Sequence, residues 1–239
     1  MNLDQQRIII LGGTSGVGLA TAQMLAQAGA QVIIGGRQAE KVQQAMAVAG
    51  SNVTGEAIDA TDAEQLRTFF KRVGTFDHLV LTLSGGKGGG AFASLDLNEL
   101  REGFAAKFWP QIQAAQLGLE TLRRDGSLTF VTAISARSSM PGVAGLAAIN
   151  GALEAMIAPL AAELKPLRVN AVSPGVIATP WWDNLPENQR QALFDQSATT
   201  SAVGRVGQPE DVAHAITFLL SNGFTTGSII ECDGGLRLG

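Results

Sequence analysis

The short apolar run 8–11 passes directly into Leu11-Gly12-Gly13-Thr14-Ser15-Gly16-Val17-Gly18, and the Ala-rich stretch 19–28 follows it and ends at Gly29. An apolar run of that length is too short for a helix, while the stretch beyond the glycines has helical length and composition. The unit reads as strand, turn, helix. Further short apolar runs at 31–34, 53–58, 78–83, 127–132, 169–172 and 228–232 read as buried strands. Helical stretches lie between them, with long ones expected over 97–124 and 146–164 and another over 210–220. Pro110 should kink the first long helix, since it lacks an N–H and crowds the preceding turn, and Asp125-Gly126 should stop it. Buried strands alternating with helices predict a mostly parallel sheet covered on both faces and joined by right-handed crossovers. The expected fold class is therefore α/β, doubly wound, as a single domain over 1–239 with no repeat or linker.

Composition excludes several classes of function. A net charge of -4 and a pI near 5.2 provide no cationic field for nucleic acid or anionic lipid. A lone cysteine, Cys232, cannot form an intramolecular disulfide, and with two histidines it supplies no metal-ligand spacing. Residues 1–7 lack an apolar signal core, and no uninterrupted apolar stretch approaches the ~20 residues that span a bilayer. The expectation is a reducing, cytoplasmic setting with no membrane and no nucleic-acid partner.

The glycine cluster follows a strand and opens a helix, the context in which such a cluster carries chemical information. Gly12 permits a tight turn, Gly16 leaves room for phosphates near the helix N-terminus, and Gly18 allows close helix–sheet packing. Thr14 and Ser15 add hydroxyl donors, and Val17 lies between the last two glycines. A pyrophosphate-bearing dinucleotide is the expected ligand. At the end of the second strand the sequence is Ile34-Gly35-Gly36-Arg37, without the acidic residue that would accept bonds from an adenosine ribose. Arg37 offers a planar, permanently charged donor suited to a 2′-phosphate, which favours NADP(H) over NAD(H). The other reading of Arg37 is a solvated loop residue.

The whole chain resembles the short-chain dehydrogenase/reductase family, with a Rossmann-type fold. The turn at 12–18 is similar to the family's TGxxxGxG, with Leu11 replacing the threonine. Asp59, followed by Ala60, stands where the family carries an acidic residue near the adenine. The segment 168–179, Arg-Val-Asn-Ala-Val-Ser-Pro-Gly-Val-Ile-Ala-Thr, resembles the family's segment beside the nicotinamide, and 205–213 and 226–235 resemble its C-terminal signatures. The resemblance implies cofactor contacts from Thr82, Leu83 and Ser84, from Asn150, and from Pro174, Gly175, Val176, Ile177 and Thr179. It also implies a homodimer or homotetramer through the two long helices.

The departures fall where the family does its chemistry. The chain contains no tyrosine. Leu146 and Asn150 stand at the tyrosine and lysine of the YxxxK motif, Ala133 at the serine, and Lys107 at the helix asparagine. Leucine has no proton to give, and a neutral amide cannot lower a neighbouring hydroxyl's pKa, though it can bond a ribose hydroxyl. Thr132 keeps a hydroxyl one residue before Ala133, on the opposite face of a regular strand. Lys107 has two readings: an acid or base with a depressed pKa, or a structural or phosphate-binding ammonium replacing the charge missing at position 150.

Other polar residues carry weaker signals. Ser135, Arg137, Ser138 and Ser139 follow the fifth strand and could line a pocket, but they are ordinary loop residues. Lys87 reads as solvated, and His78 and His214 as structural or exposed. No Ser-His-acid triad can be assembled. The resemblance implies that the segment 180–205 covers the substrate, with Trp181 and Trp182 giving a small apolar carbonyl or alcohol a ceiling; the other reading is that these tryptophans pack against the core or a second subunit. Two functions follow: an NADP(H)-dependent oxidoreductase with an atypical active site, or a non-catalytic NADP(H)-binding sensor or partner subunit.

Overall fold

The computed structural model describes residues 3–238. Seven parallel strands form one sheet in the order β3-β2-β1-β4-β5-β6-β7. These are β1 (Arg7–Leu11), β2 (Gln31–Gly36), β3 (Val53–Ala57), β4 (Phe76–Leu81), β5 (Leu122–Val131), β6 (Arg168–Pro174) and β7 (Ile229–Cys232). The helices are α1 (Gly16–Gln27), α2 (Ala39–Ala49), α3 (Ala63–Val73), α4 (Leu97–Gly103), α5 (Trp109–Gly118), α6 (Ala144–Glu163), α7 (Glu187–Thr200) and α8 (Pro209–Ser221).

Alternation along the strands divides the core in two. Ile9, Leu11, Leu79, Leu81, Leu128 and Phe130 pack with α3, α5 and α6, while Ile8, Ile10, Val80, Val131 and Val172 pack with α1, α2 and α8. Both faces of the central strands are buried, so those strands read as continuous apolar runs rather than as polar–apolar alternation.

Two expectations are corrected. The first long helix stops at Gly118 rather than at Arg124, and β5 begins at Leu122, so Asp125-Gly126 lies inside a strand. The polar run Arg123-Arg124-Asp125 is exposed, so burial does not enforce an apolar strand pattern there, and its ladder is irregular opposite Phe76 and His78. Second, Pro110 causes no simple kink: the chain takes one wide π-helical turn, Phe104–Phe108, before α5. A wider turn relieves the clash between the proline ring and the carbonyl a turn earlier. By length and composition α6 is long and apolar enough to cross a membrane. Its buried stripe of Ile149, Asn150, Leu153, Glu154, Ile157 and Ala161 nevertheless packs against the sheet, which makes it a core helix.

Candidate functional site

β1 lies between β2 and β4, where the order of winding reverses, so the chain leaving it opens a crevice at the carboxyl edge of the sheet. Gly12 there has φ of +93°, a conformation an L side chain rarely takes. A Cβ on Gly18 would strike the carbonyl oxygen of Gly12 and lie 2.7 Å from Thr82 Oγ1. Only a bare backbone lets α1 start this close to the turn. Ser15 is the N-cap of α1 but its hydroxyl makes no capping bond, and no acidic residue occupies the first turn. The N–H groups and positive dipole end of α1 are thus uncompensated by side chains, as an anion site requires.

The neighbouring segments converge on this turn. Thr14 packs against Gly36 and so brings the exposed Arg37 beside the glycines; among the described residues Arg37 makes no ion pair. Thr179 lies over Gly16, where a Cβ would sit 3.1 Å from its Cγ2. The segment leading there is fixed by Gly175 N–H donating to Cys232 O at 3.0 Å and by Ile177, 7% exposed, bridging to Gly207. Pro174 ends β6, and Val176 accepts from Gly207 N–H through its carbonyl at 3.1 Å.

Not every expected contact residue presents its side chain to the crevice. Thr82 supports the turn from beneath, donating through its hydroxyl to Leu11 O at 3.0 Å. Leu83 packs on the core and accepts from Gln111 Nε2 at 2.9 Å through its carbonyl, while Ser84 is exposed. Asp59 accepts from Thr61 N–H at 2.9 Å and from its hydroxyl at 2.8 Å, which folds the carboxylate back on its own loop. Ala60 is buried.

Lys107 is the buried cation among the residues expected at the family's catalytic positions. Its side chain sits in the π-helical turn at 8% exposure, with Nζ donating to Thr132 O at 2.9 Å at the carboxyl end of β5. Burial pushes the ammonium down to about 8, against the opposing pull of Glu154. Leu146, half-buried, lies beside Gly89 of the loop after β4, which is tied to the α6 approach by Gly90 N–H donating to Gly142 O at 2.8 Å. Asn150 donates to Ser135 Oγ and to Leu146 O, both at 3.0 Å, and its buried Oδ1 has no partner. Ala133 is extended after β5 and offers only a methyl group. Thr132 continues the Leu128–Phe130 face and donates its hydroxyl to Glu154 Oε1 at 2.8 Å.

Glu154 is a residue that sequence reasoning missed. It pairs with Arg137 at 2.9 Å; Arg137 pairs with Glu231 at 2.8 Å; Arg237 joins Glu231 at 2.6 Å and Asp233 at 3.0 Å. A 3.6-residue period through Asn150 and Leu153 puts Glu154 on the buried stripe of α6, and a carboxylate on such a stripe was the available signal.

The remaining candidates resolve simply. Lys87 pairs with Glu102 at the surface. His214 is exposed, while His78 is a buried structural residue bonded to Ser127 Oγ at 2.7 Å and Gln6 Oε1 at 2.5 Å. Ser138 Oγ accepts from Met140 N–H at 3.1 Å, and Ser139 is exposed. In the segment 180–205, Trp181 and Trp182 meet edge to face at 4.4 Å, Trp182 reaches Phe194 of α7 at 6.4 Å, and its Nε1 donates to Ile177 O at 2.8 Å. Trp182 therefore pins α7 to the segment after β6, and Trp181 is 40% exposed.

The crevice fits a dinucleotide. The glycine cradle would hold the pyrophosphate, and the orphaned Asn150 Oδ1 is an acceptor that a ribose hydroxyl would satisfy. Residues 12–237 match the family model described as enoyl-(acyl carrier protein) reductase. This chain belongs to the short-chain dehydrogenase/reductase family. The short-chain dehydrogenase/reductase ATR9 of Stachybotrys chlorohalonatus is 31% identical to it over 98% of this chain and 97% of that protein. A small-chain dehydrogenase solved in complex with NADPH superposes with a TM-score of 0.86 at 31% identity, covering 99% of this chain and 100% of the other. A short-chain oxidoreductase from Pseudomonas aeruginosa PAO1, described as containing an atypical catalytic center, gives a TM-score of 0.87 at 27% identity over 99% and 98% of the two chains.

Proposed function

We propose that this family member is an NADP(H)-dependent oxidoreductase acting on a small apolar carbonyl or alcohol, with Lys107 as its proton-transfer group. The observation that carries this reading is the Lys107 ammonium itself, held at the carboxyl end of β5 and pushed by burial down to about 8. A group titrating near the working pH can both give and recover a proton. The NADPH complex of one structural relative and the atypical centre ascribed to another support it.

When bound, the nicotinamide supplies a hydride for a carbonyl carbon or removes one from an alcohol. In the reductive direction Lys107 donates a proton to the substrate oxygen and regains it from solvent. The α1 N-terminus and the glycine turn hold the pyrophosphate, Arg37 holds the 2′-phosphate, and Asn150 Oδ1 accepts from a ribose hydroxyl. Trp181, 40% exposed on the segment after β6, favours an apolar substrate.

The test is a carbonyl and alcohol screen with NADPH and NADH, run on wild type and Lys107→Met. Turnover that Lys107→Met removes while NADPH still binds supports the reading. Turnover unchanged in that variant overturns the role of Lys107, and cofactor binding with no turnover in either protein favours the sensor or partner-subunit reading.

A further inference from the structure

Thr132 links two buried groups of opposite charge. Its carbonyl accepts from Lys107 Nζ at 2.9 Å, and its hydroxyl donates to Glu154 Oε1 at 2.8 Å. The ammonium and the carboxylate are thereby held at the two polar ends of one residue without a direct ion pair. Glu154 Oε2 instead pairs with Arg137 at 2.9 Å, while the Glu154 side chain is 7% exposed. Arg137 is itself shared with Glu231, and Glu231 with Arg237, which also binds Asp233. The signs alternate along this chain, from Lys107 on the π-helical turn to Asp233 after β7.

We propose that Glu154 is a positioning residue for Lys107, and that Arg137 determines how much of the Glu154 charge the ammonium feels. This rests on the reading of Lys107 as the proton-transfer group. The charged groups around Lys107 are Glu154 from α6, with Arg137 behind it, and then Glu231, Arg237 and Asp233 from the C-terminal strand and tail. Lys87 and Glu102 pair with each other at the surface. From β5 Lys107 receives a neutral carbonyl. A carboxylate that faced Lys107 alone would hold its proton firmly, because opposite charges interact strongly in a poorly polarisable interior. A carboxylate shared with Arg137 holds it less firmly, so burial dominates and the proton can leave near neutral pH. Glu154 fixes Lys107 through Thr132, and Arg137 prevents that hold from becoming a permanent ion pair.

The chain has five lysines, Lys41, Lys71, Lys87, Lys107 and Lys165, which suits selective ¹³C-lysine labelling and titration by NMR. Lys107→Met identifies the Lys107 signal, and the titration needs neither substrate nor turnover. Glu154→Gln keeps the acceptor for Thr132 but removes the charge, and should lower the Lys107 midpoint by about one pH unit. Arg137→Gln frees the carboxylate and should raise the midpoint by a similar ~1 unit. Arg137→Lys, which restores the cation, should return it toward wild type. If Arg137→Gln does not fold, Glu231→Gln decides in its place: it leaves Arg137 wholly to Glu154 and should lower the midpoint. A fall in Glu154→Gln with a rise in Arg137→Gln, or with a fall in Glu231→Gln where that variant stands in, supports the proposal, whereas a midpoint that moves the other way in any of these variants, or not at all, overturns it. Loss of turnover in Lys107→Met with unmoved midpoints would sink this inference alone. Opposite shifts with turnover independent of Lys107 would sink the catalytic reading and leave the electrostatic one intact.

Discussion

A buried ammonium should cost this protein stability, and Lys107→Met measures the cost. The ordinary lysine value of 10.5 falls to about 8 in the folded chain, with burial as the main cause. At neutral pH both the folded and unfolded chains carry the proton, and a difference of that size corresponds to about 3 kcal/mol against folding. The cost is fully present below the folded value. It is relieved as pH rises from about 8 toward 10.5, because the folded chain releases its proton first. Methionine keeps most of the volume and carries no charge, but it orphans Thr132 O, which should return about 1 kcal/mol of the gain. The expected net result is stabilisation by about 2 kcal/mol at pH 7, or ~4–8 °C in Tm for a chain of this size. Urea unfolding of both proteins at pH 7 and pH 9.5 tests it, and the gap between them should shrink by about 2 kcal/mol at the higher pH. A variant less stable at pH 7, or a gap that does not change with pH, would refute the claim that Lys107 is held as a desolvated cation.

Three further outcomes follow from the geometry. His78 is pushed down to about 3, first by burial and then by repulsion from Arg168, so the folded chain resists a proton that the unfolded chain accepts near 6.5. Its contribution to stability is present above the unfolded value and is lost as pH falls, by about 2 kcal/mol between pH 7 and 5; His78→Gln should flatten that slope in urea titrations, and an unaltered slope would contradict the assignment. Gly18→Ala forces a methyl group into Gly12 O and Thr82 Oγ1. Overpacking of about 1–3 kcal/mol should weaken NADPH roughly 5- to 100-fold by calorimetry, and wild-type affinity would show that the glycine turn does not cradle the cofactor. Arg37→Ala should lose its preference for NADPH over NADH while NADH affinity holds, and equal loss for both cofactors would remove the 2′-phosphate role.

Much of the fold was legible because burial imposes the pattern. The runs ending at Leu11, Leu83 and Val172 are apolar since both faces of central parallel strands are covered, and Gly12 and Gly18 are glycines since no Cβ fits between the turn and α1. Where burial relaxes, legibility fails. The polar residues Arg123, Arg124 and Asp125 near the start of β5 read as a helix end, because they are exposed and nothing covers them to demand apolar side chains. The wide turn before Pro110 is a three-dimensional answer to a steric clash, and the proline signals the clash without signalling the remedy.

The sequence by itself determined the architecture and the dinucleotide turn, and it shows that the chain has no tyrosine. These follow from local rules of periodicity, backbone freedom and side-chain chemistry. Only the tertiary structure decided what Lys107 became: a buried ammonium on the Thr132 carbonyl, with Glu154 on the same residue's hydroxyl and a chain of ion pairs running to Asp233. The charge state of such a group depends on desolvation and on partners distant in sequence, and both come into being only when α6, the π-helical turn and the C-terminal strand meet at the end of β5.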